Sequence, residues 1–280
     1  MDKLERKFAA ILAENRHGAT GVTSAAVEVL IALCRRTDTT PEQLLEYTVR
    51  LRQAHASMAE IINLAEDLRE CVADGMDRAA LLVYLEAYQK QTVATMEQAV
   101  ATAVRHFYDF RCVATLSRSR MVREVLAKTG ARIIIAESRP LNEGVDQAVM
   151  LSEVGLQVSV VADALLPAIL VEQKVDAVIV GCDALLPSGL VNKAGTYALA
   201  LACHEANIFL ATVLTSRRHL SAERAALFAV NDHHTDELGL PTKLAPTAIN
   251  RYFDVTPLPL VSIAFSEQGA FRPAERIMFR

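Results

Sequence analysis

The sequence predicts an α/β protein: a helical N-terminal domain, residues 1–105, followed by a parallel-sheet domain, residues 106–280. The main observation is a change of period. Up to about His106 apolar residues recur every three or four positions, and beyond it they gather in short Val, Ile and Leu runs separated by helix-length stretches. Length agrees, since 280 residues is near the upper limit for one hydrophobic core. Composition narrows the class further. The chain is 52% hydrophobic with a mean hydropathy of +0.22, much of it alanine, which suits close-packed helices. Its most apolar stretch, Val158 to Val171, is broken by Asp163 and falls short of the roughly 20 residues of a spanning helix, so no membrane segment is expected.

Leu4, Phe8, Ile11 and Leu12, and again Leu44, Leu45, Thr48 and Leu51, are spaced as amphipathic helices. Thr40 before Pro41, with Glu42 and Gln43 following, is a helix start: a capping hydroxyl, proline at the first helical position and a carboxylate near the positive end. Gly75 and Asp77 interrupt the pattern, and 77–106, free of glycine and proline, predicts one continuous helix. Six runs follow as strands: 112–117, 132–138, 157–163, 177–183, 208–214 and 258–265. Being apolar on both faces, they fit a parallel sheet covered on each side, with helices at 119–129, 143–154, 164–173 and 193–206. Together these define a Rossmann-like domain.

Ser117, Glu137, Asp163 and Asp183 each end an apolar run, with Thr215 just beyond a fifth. In an open parallel sheet the ligand crevice lies outside the carboxyl ends of the strands, where these residues converge. Each is also a residue type that caps a following helix, so the single positions read either way. The stretch from Gly181 to Tyr197 joins a strand end, a glycine-containing loop and a helix start. Lys193 and the backbone N–H groups there are expected to hold an anion, phosphate better than carboxylate, opposite Asp183 as an acid–base group.

The N-terminus lacks an apolar secretory core, and the five cysteines (Cys34, Cys71, Cys112, Cys182, Cys203) are odd in number with no CxxC pair. A reducing, cytoplasmic location with buried thiols is expected, and neither a disulfide framework nor a zinc ribbon. With 29 basic and 33 acidic residues, net −4, there is no general electrostatic reason to bind nucleic acid. Arg118, Arg120, Arg123 and Arg139 read either as a second phosphate or nucleotide contact or as a solvated helix face. The run from Asn231 to Asp236 resembles a metal cluster, but adjacent residues share one centre poorly, and neither a metal nor another cofactor is expected.

GCDALLPSGLVNKAGTY (181–197) resembles the G-A-D…G-x-x-N-K-x-G-T-Y signature of the family of translation initiation factor 2B regulatory subunits, methylthioribose-1-phosphate isomerase and ribose-1,5-bisphosphate isomerase. Glu137-Ser138-Arg139-Pro140 through Gly144 resembles the family's E-[ST]-R-P-x-x-x-G, and Asp163-Ala164 its T-D-A element. Arg16-His17-Gly18-Ala19 resembles the R-G-A loop, and Tyr252-Phe253-Asp254 through Pro259 the F-D-x-T-P-P element. The resemblance implies a homodimer formed through the C-terminal domain and a small phosphorylated ligand. A further protein partner is left open. It implies substrate contacts at Arg16, Gly18, Ala19, Ser119, Arg120, Glu137, Arg139, Asn192, Lys193 and Arg218, with Asp183 matching the catalytic aspartate of the isomerases.

The isomerase cysteine position is Ser117. A thiol of pKa about 8.5 is readily tuned to a thiolate, whereas a serine needs an adjacent base. Cys112 falls at the start of its strand, away from the crevice, and Cys182 points to the face opposite Asp183. Thr115 to Arg120 resembles the initiation-factor branch instead, which implies a non-catalytic or regulatory protein. The alternative is an aldose–ketose isomerase of a phosphorylated pentose relying on Asp183. In 55–58, resembling R-P-T-M, His55 replaces the arginine and weakens a second phosphate contact.

Overall fold

The computed structural model describes residues 2–14, 19–241 and 248–276. The chain divides into two compact units, Met1–Thr95 with Arg217–Ala229, and Met96–Ser216 with Val230–Arg280. The division falls inside one long helix rather than at its end.

The first unit is helical: α1 (Lys3–Leu12), α2 (Ala19–Cys34), α3 (Pro41–Ala54), α4 (Ala59–Ala73) and the first half of α5 (Arg78–Phe107). Thr40 caps α3 as predicted, accepting from the Gln43 backbone N–H while the Gln43 side chain accepts from the Thr40 N–H. Asp77 accepts from Ala80 N–H at 2.8 Å at the start of α5, and with no glycine or proline that helix runs unbroken for 30 residues. Phe8, Leu30, Leu44, Leu64, Leu68 and Leu85 form the core.

The sequence pattern does not foretell that 217–229, with the short helix α10 (Ala222–Ala225), packs in this unit. Three arginines hold it. Arg217 lies 3.5 Å from the Tyr88 ring centroid and donates to Tyr88 O, Arg218 pairs with Glu60 at 3.0 Å, and Arg224 with Asp67 at 2.6 Å. The Asn63 amide donates to the carbonyls of Arg217 and His219.

The second unit contains a seven-stranded sheet. Its strands are β1 (Cys112–Leu116), β2 (Arg132–Ala136), β3 (Val158–Val161), β4 (Ala177–Val180), β7 (Phe209–Val213), β9 (Ile263–Ser266) and β10 (Gly269–Phe271). They run in the order β10-β9-β7-β4-β1-β2-β3, all parallel except β10. The strand order reverses between β1 and β4, which makes their carboxyl ends the switch point. Alternate residues feed two cores. Cys112, Ala114 and Leu116 pack on one face with Leu166 and Leu199, and Val113 packs on the other with Val100, Phe107 and Val125.

Helices α6 (Arg120–Leu126), α7 (Glu143–Glu153), α8 (Leu166–Ile169) and α9 (Thr196–Glu205) follow strands, and α11 (Pro273–Arg276) follows β10. Four expectations change. α8 is one turn of the helix expected over 164–173. The run 258–265 is a 3-10 turn at Leu258–Leu260 followed by β9, because Pro257 and Pro259 have no N–H for a ladder. β3 is an edge strand with Ser159 and Val160 exposed rather than covered on both sides. The segment after β4 makes a separate sheet: β5 (Ala184–Leu186), β6 (Gly189–Lys193) and β8 (Phe253–Thr256), with β6 central and both pairings antiparallel. Among the described residues no helix is long and apolar enough to cross a membrane.

Candidate functional site

The carboxyl ends of β1, β2 and β3 are tied together. Beyond β1, Ser117 has φ 63°, and its N–H donates to Ser138 Oγ at 2.7 Å. Beyond β2, Ser138 has φ 66°, and its N–H and that of Arg139 donate to the two oxygens of Asp163, each at 2.7 Å. Asp163 stands just past β3, so the strand-end acid expected there serves to bind two backbone amides. Serine in the left-handed region costs about 1–2 kcal/mol. Two such residues past neighbouring strands, one of them beside the switch point, mark a place where the fold holds backbone against its preference, as binding sites do.

Gly144, in the first turn of α7, packs hard against this corner. A Cβ there would stand 1.8 Å from Ala136 O and 2.9 Å from Ser138 Oγ. Its N–H donates to Glu137 O at 3.1 Å, and the Glu137 N–H donates to Val161 O, which leaves the half-buried Glu137 side chain at the strand edge.

Asp183 follows β4, on the strand next to β1, and its N–H donates to Val191 O at 2.9 Å, fixing it to β6. Gly181, two residues earlier, is the first residue past β4. It is the meeting point of two predicted ligand residues: a Cβ on Gly181 would stand 3.1 Å from the Asn192 amide and 3.2 Å from the Ser119 side chain. Ser119 caps α6, accepting from Val122 N–H. Asn192 is buried, 3.0 Å from the Thr196 hydroxyl, which donates to Lys193 O.

Asn192 and Lys193 lie on β6, not at a helix start as predicted. The helix begins three residues later, and its N-terminal amides are already used: Asp254, paired with Asn192 across β6–β8, accepts from Gly195 N–H at 2.8 Å and from Tyr197 N–H at 3.1 Å. Burial pushes the Asp254 carboxyl above its ordinary range, against the pull of those two hydrogen bonds. The side chain of Lys193 is only 4% exposed. It pairs with Glu143 Oε1 at 2.9 Å and lies 4.9 Å from the centroid of Tyr252. Tyr252 stacks on His233 with centroids 3.6 Å apart, and its hydroxyl donates to Glu237 at 2.5 Å. Glu143, Tyr252 and Asp254 pack around Lys193 and the start of α9, and the sequence did not single them out as contacts. Their partners sit about 50 to 60 residues away along the chain, where no local pattern reveals a pairing.

The other predicted contacts have the following partners within their own units. Arg120 pairs with Glu124 at 2.8 Å on an exposed helix face, and Arg118 with Asp146 at 3.2 Å. Arg123 meets Met150 sulfur at 3.0 Å, and Arg139 donates to Leu238 O at 2.8 Å. Ala19 and Arg218 are buried in the first unit, where Arg218 also donates to Thr20 Oγ1. His55 is buried there too, with Nε2 2.8 Å from Ile11 O. Arg16 and Gly18 lie outside the described residues.

Chemically, the corner offers a carboxylate (Asp183), hydroxyls (Ser117, Ser119), an amide (Asn192) and a buried ammonium (Lys193). Among the described residues no hydrogen bond links the Ser117 hydroxyl to a base. Cys112 is buried at the start of β1 with its pKa raised by burial, Cys182 packs in the core beneath the sheet, and burial pushes Cys34 to about 11 and Cys203 to about 12.

Comparison with known proteins bears on the fold and the family. The chain is 27% identical over 277 residues to a translation initiation factor eIF-2B subunit 2-like protein of Pyrococcus abyssi, covering 95% of each. It is 33% identical over 158 residues to the methylthioribose-1-phosphate isomerase of Dechloromonas aromatica, covering 51% of this chain and 43% of that protein. The crystal structure of Pyrococcus horikoshii translation initiation factor eIF-2B shares the fold, with a TM-score of 0.84 at 23% identity over 99% of both chains. The sequence profile of the initiation factor 2 subunit family matches residues 15–273, and this chain belongs to that family.

Proposed function

We propose that the protein binds a small phosphorylated ligand, a sugar phosphate or nucleotide, at the carboxyl ends of its parallel strands and acts by binding rather than turnover. The observation that carries this reading is Ser117 at the end of β1, in a left-handed conformation and with no base hydrogen-bonded to its hydroxyl among the described residues. A serine in that setting is a poor proton carrier. Asn192 and Lys193 are the phosphate contacts in this reading, and Ser119 and Glu137 line the same strand ends.

A second reading, aldose–ketose isomerisation, is favoured by one observation. Asp183 lies three residues beyond β4, the strand that neighbours β1 at the switch point, where a general acid–base would be needed. The similarity to methylthioribose-1-phosphate isomerase names the substrate to try first.

We also propose a homodimer through the second unit. Val145, Val149 and Val154 on or just after α7, Val160 on β3, and Leu165 and Val171 flanking α8 are exposed around an unpaired sheet edge. Such a surface is apolar enough to bury against a second copy. Sedimentation velocity tests this part: a dimer is expected, and Val149→Glu with Val160→Glu should give monomers. A monomeric wild type overturns it.

A thermal-shift screen against sugar phosphates and nucleoside monophosphates tests ligand binding. Stabilisation that disappears in Lys193→Met supports the reading. No stabilisation by any of them removes it.

A further inference from the structure

We propose that Glu143 is the resident anion of the Lys193 site: its carboxylate occupies the ammonium, an incoming phosphate must displace it, and it thereby restricts the site to doubly charged ligands. The proposal rests on the reading of Lys193 as a phosphate contact and adds how that contact is controlled.

Three observations carry it. First, the Lys193 ammonium is closed off, at 2.9 Å from Glu143 Oε1 and beneath the Tyr252 ring, with its side chain 4% exposed. A ligand cannot add to Lys193 while both neighbours stay in place.

Second, the pair is one-sided. Among the described residues Glu143 Oε2 is buried with no hydrogen-bond partner, and the Gln147 amide one turn on, fully buried, has neither its oxygen nor its nitrogen paired. A carboxylate kept purely for structure is expected to use both oxygens, because a buried unpaired acceptor costs about 1–3 kcal/mol. Here part of the cost of burial is left uncompensated, which lowers the barrier to release.

Third, release has a short path. Glu143 is the first residue of α7, preceded by the exposed Asn142 and followed within the same turn by the exposed Val145 and Asp146. Swinging out, its charge stays at a helix N-terminus, where a negative charge is favourable.

The competition then selects by charge. A monoanionic carboxylate offers Lys193 what Glu143 already gives. A phosphate monoester, with nearly two charges and three acceptor oxygens, gains over it.

The test is isothermal titration of the whole protein with ribose 5-phosphate, methylthioribose 1-phosphate and AMP as phosphate monoesters, and ribonate as the monoanionic control. Wild type, Glu143→Gln, Glu143→Asp and Lys193→Met are compared. The Gln variant removes the competing charge. The Asp variant keeps a charge near Lys193, so that folding is retained, but falls one methylene short of the ammonium. Expected is a tenfold or greater gain in affinity for a phosphate monoester in Glu143→Gln, a smaller gain in Glu143→Asp, and new ribonate binding in Glu143→Gln. Unchanged or weaker binding in both overturns the proposal while leaving the phosphorylated-ligand reading standing. Equal binding by wild type and Lys193→Met overturns the proposal together with the assignment of Lys193 as a phosphate contact. Binding of no phosphate monoester by any variant overturns both.

Discussion

Replacing Gly144 by alanine should destabilise the second unit although it improves local helix propensity. The new Cβ would stand 1.8 Å from the Ala136 carbonyl oxygen, where ordinary contacts begin at 3.4 Å, so the first turn of α7 must retreat from the end of β2. The obstacle is backbone in a fully buried strand, not the end of a flexible side chain. Overpacking of this kind costs about 1–3 kcal/mol, and a rigid obstacle places it near the top of that range. Removing a helical glycine returns about 0.5–1 kcal/mol. The net loss is about 2 kcal/mol, or a fall in Tm of about 4–8 °C for a unit of this size. Calorimetric melting of wild type and Gly144→Ala measures it. The same retreat should draw Glu143 away from Lys193. A Tm equal to or above wild type would show that α7 is free to slide along β2, and would refute the close packing from which the corner's rigidity is argued.

Other perturbations separate structural from binding roles. Arg218→Met leaves Glu60 buried beside an uncharged side chain, and breaking such a pair costs about 3–5 kcal/mol, so the first unit should melt well below wild type. An unchanged Tm would show that the Arg218–Glu60 pair contributes nothing to the stability of that unit. Thr40→Ala removes one half of the capping box and should cost about 1 kcal/mol in urea unfolding; no loss would show that Pro41 alone starts α3. Burial lowers the pKa of His55, against the pull of Ile11 O and Glu14, and also that of His233. The unfolded chain therefore binds protons more readily, and stability should fall as pH drops below about 6.5, by at most about 1.4 kcal/mol per pH unit for each group. A His55→Gln variant should flatten this dependence, and an equally steep profile would refute the assignment.

Much of the fold was legible because it follows local rules. The Thr40 box, the unbroken α5 and the buried strands β1, β2, β4 and β7 are set by capping, by the absence of helix breakers and by apolar runs of strand length. What escaped was set by residues far apart in sequence. The glycine-containing stretch after Asp183 reads as a loop, and Pro187 and Ser188 are the turn of a hairpin whose strand β6 is completed only by β8, some sixty residues on. That pairing puts Asn192 and Lys193 on a strand and places Asp254 over the amides of α9, where an external anion was expected. Likewise, 217–229 joins the first unit through arginines that meet α4 and Tyr88, which no period announces. At the strand ends Asp163 does bind backbone, but that of Ser138 and Arg139 past the neighbouring strand, while α6, α7 and α8 are preceded by Ser119, Asn142 and Leu165 rather than by the strand-end residues.

The most direct test of the central claim is one sample followed by two readouts: titration with methylthioribose 1-phosphate by calorimetry, with the same mixture monitored by NMR for the ketose product. The account predicts saturable binding that is lost in Lys193→Met, with no ketose formed. Ketose appearing at enzymatic rates in wild type and abolished by Asp183→Asn would contradict it.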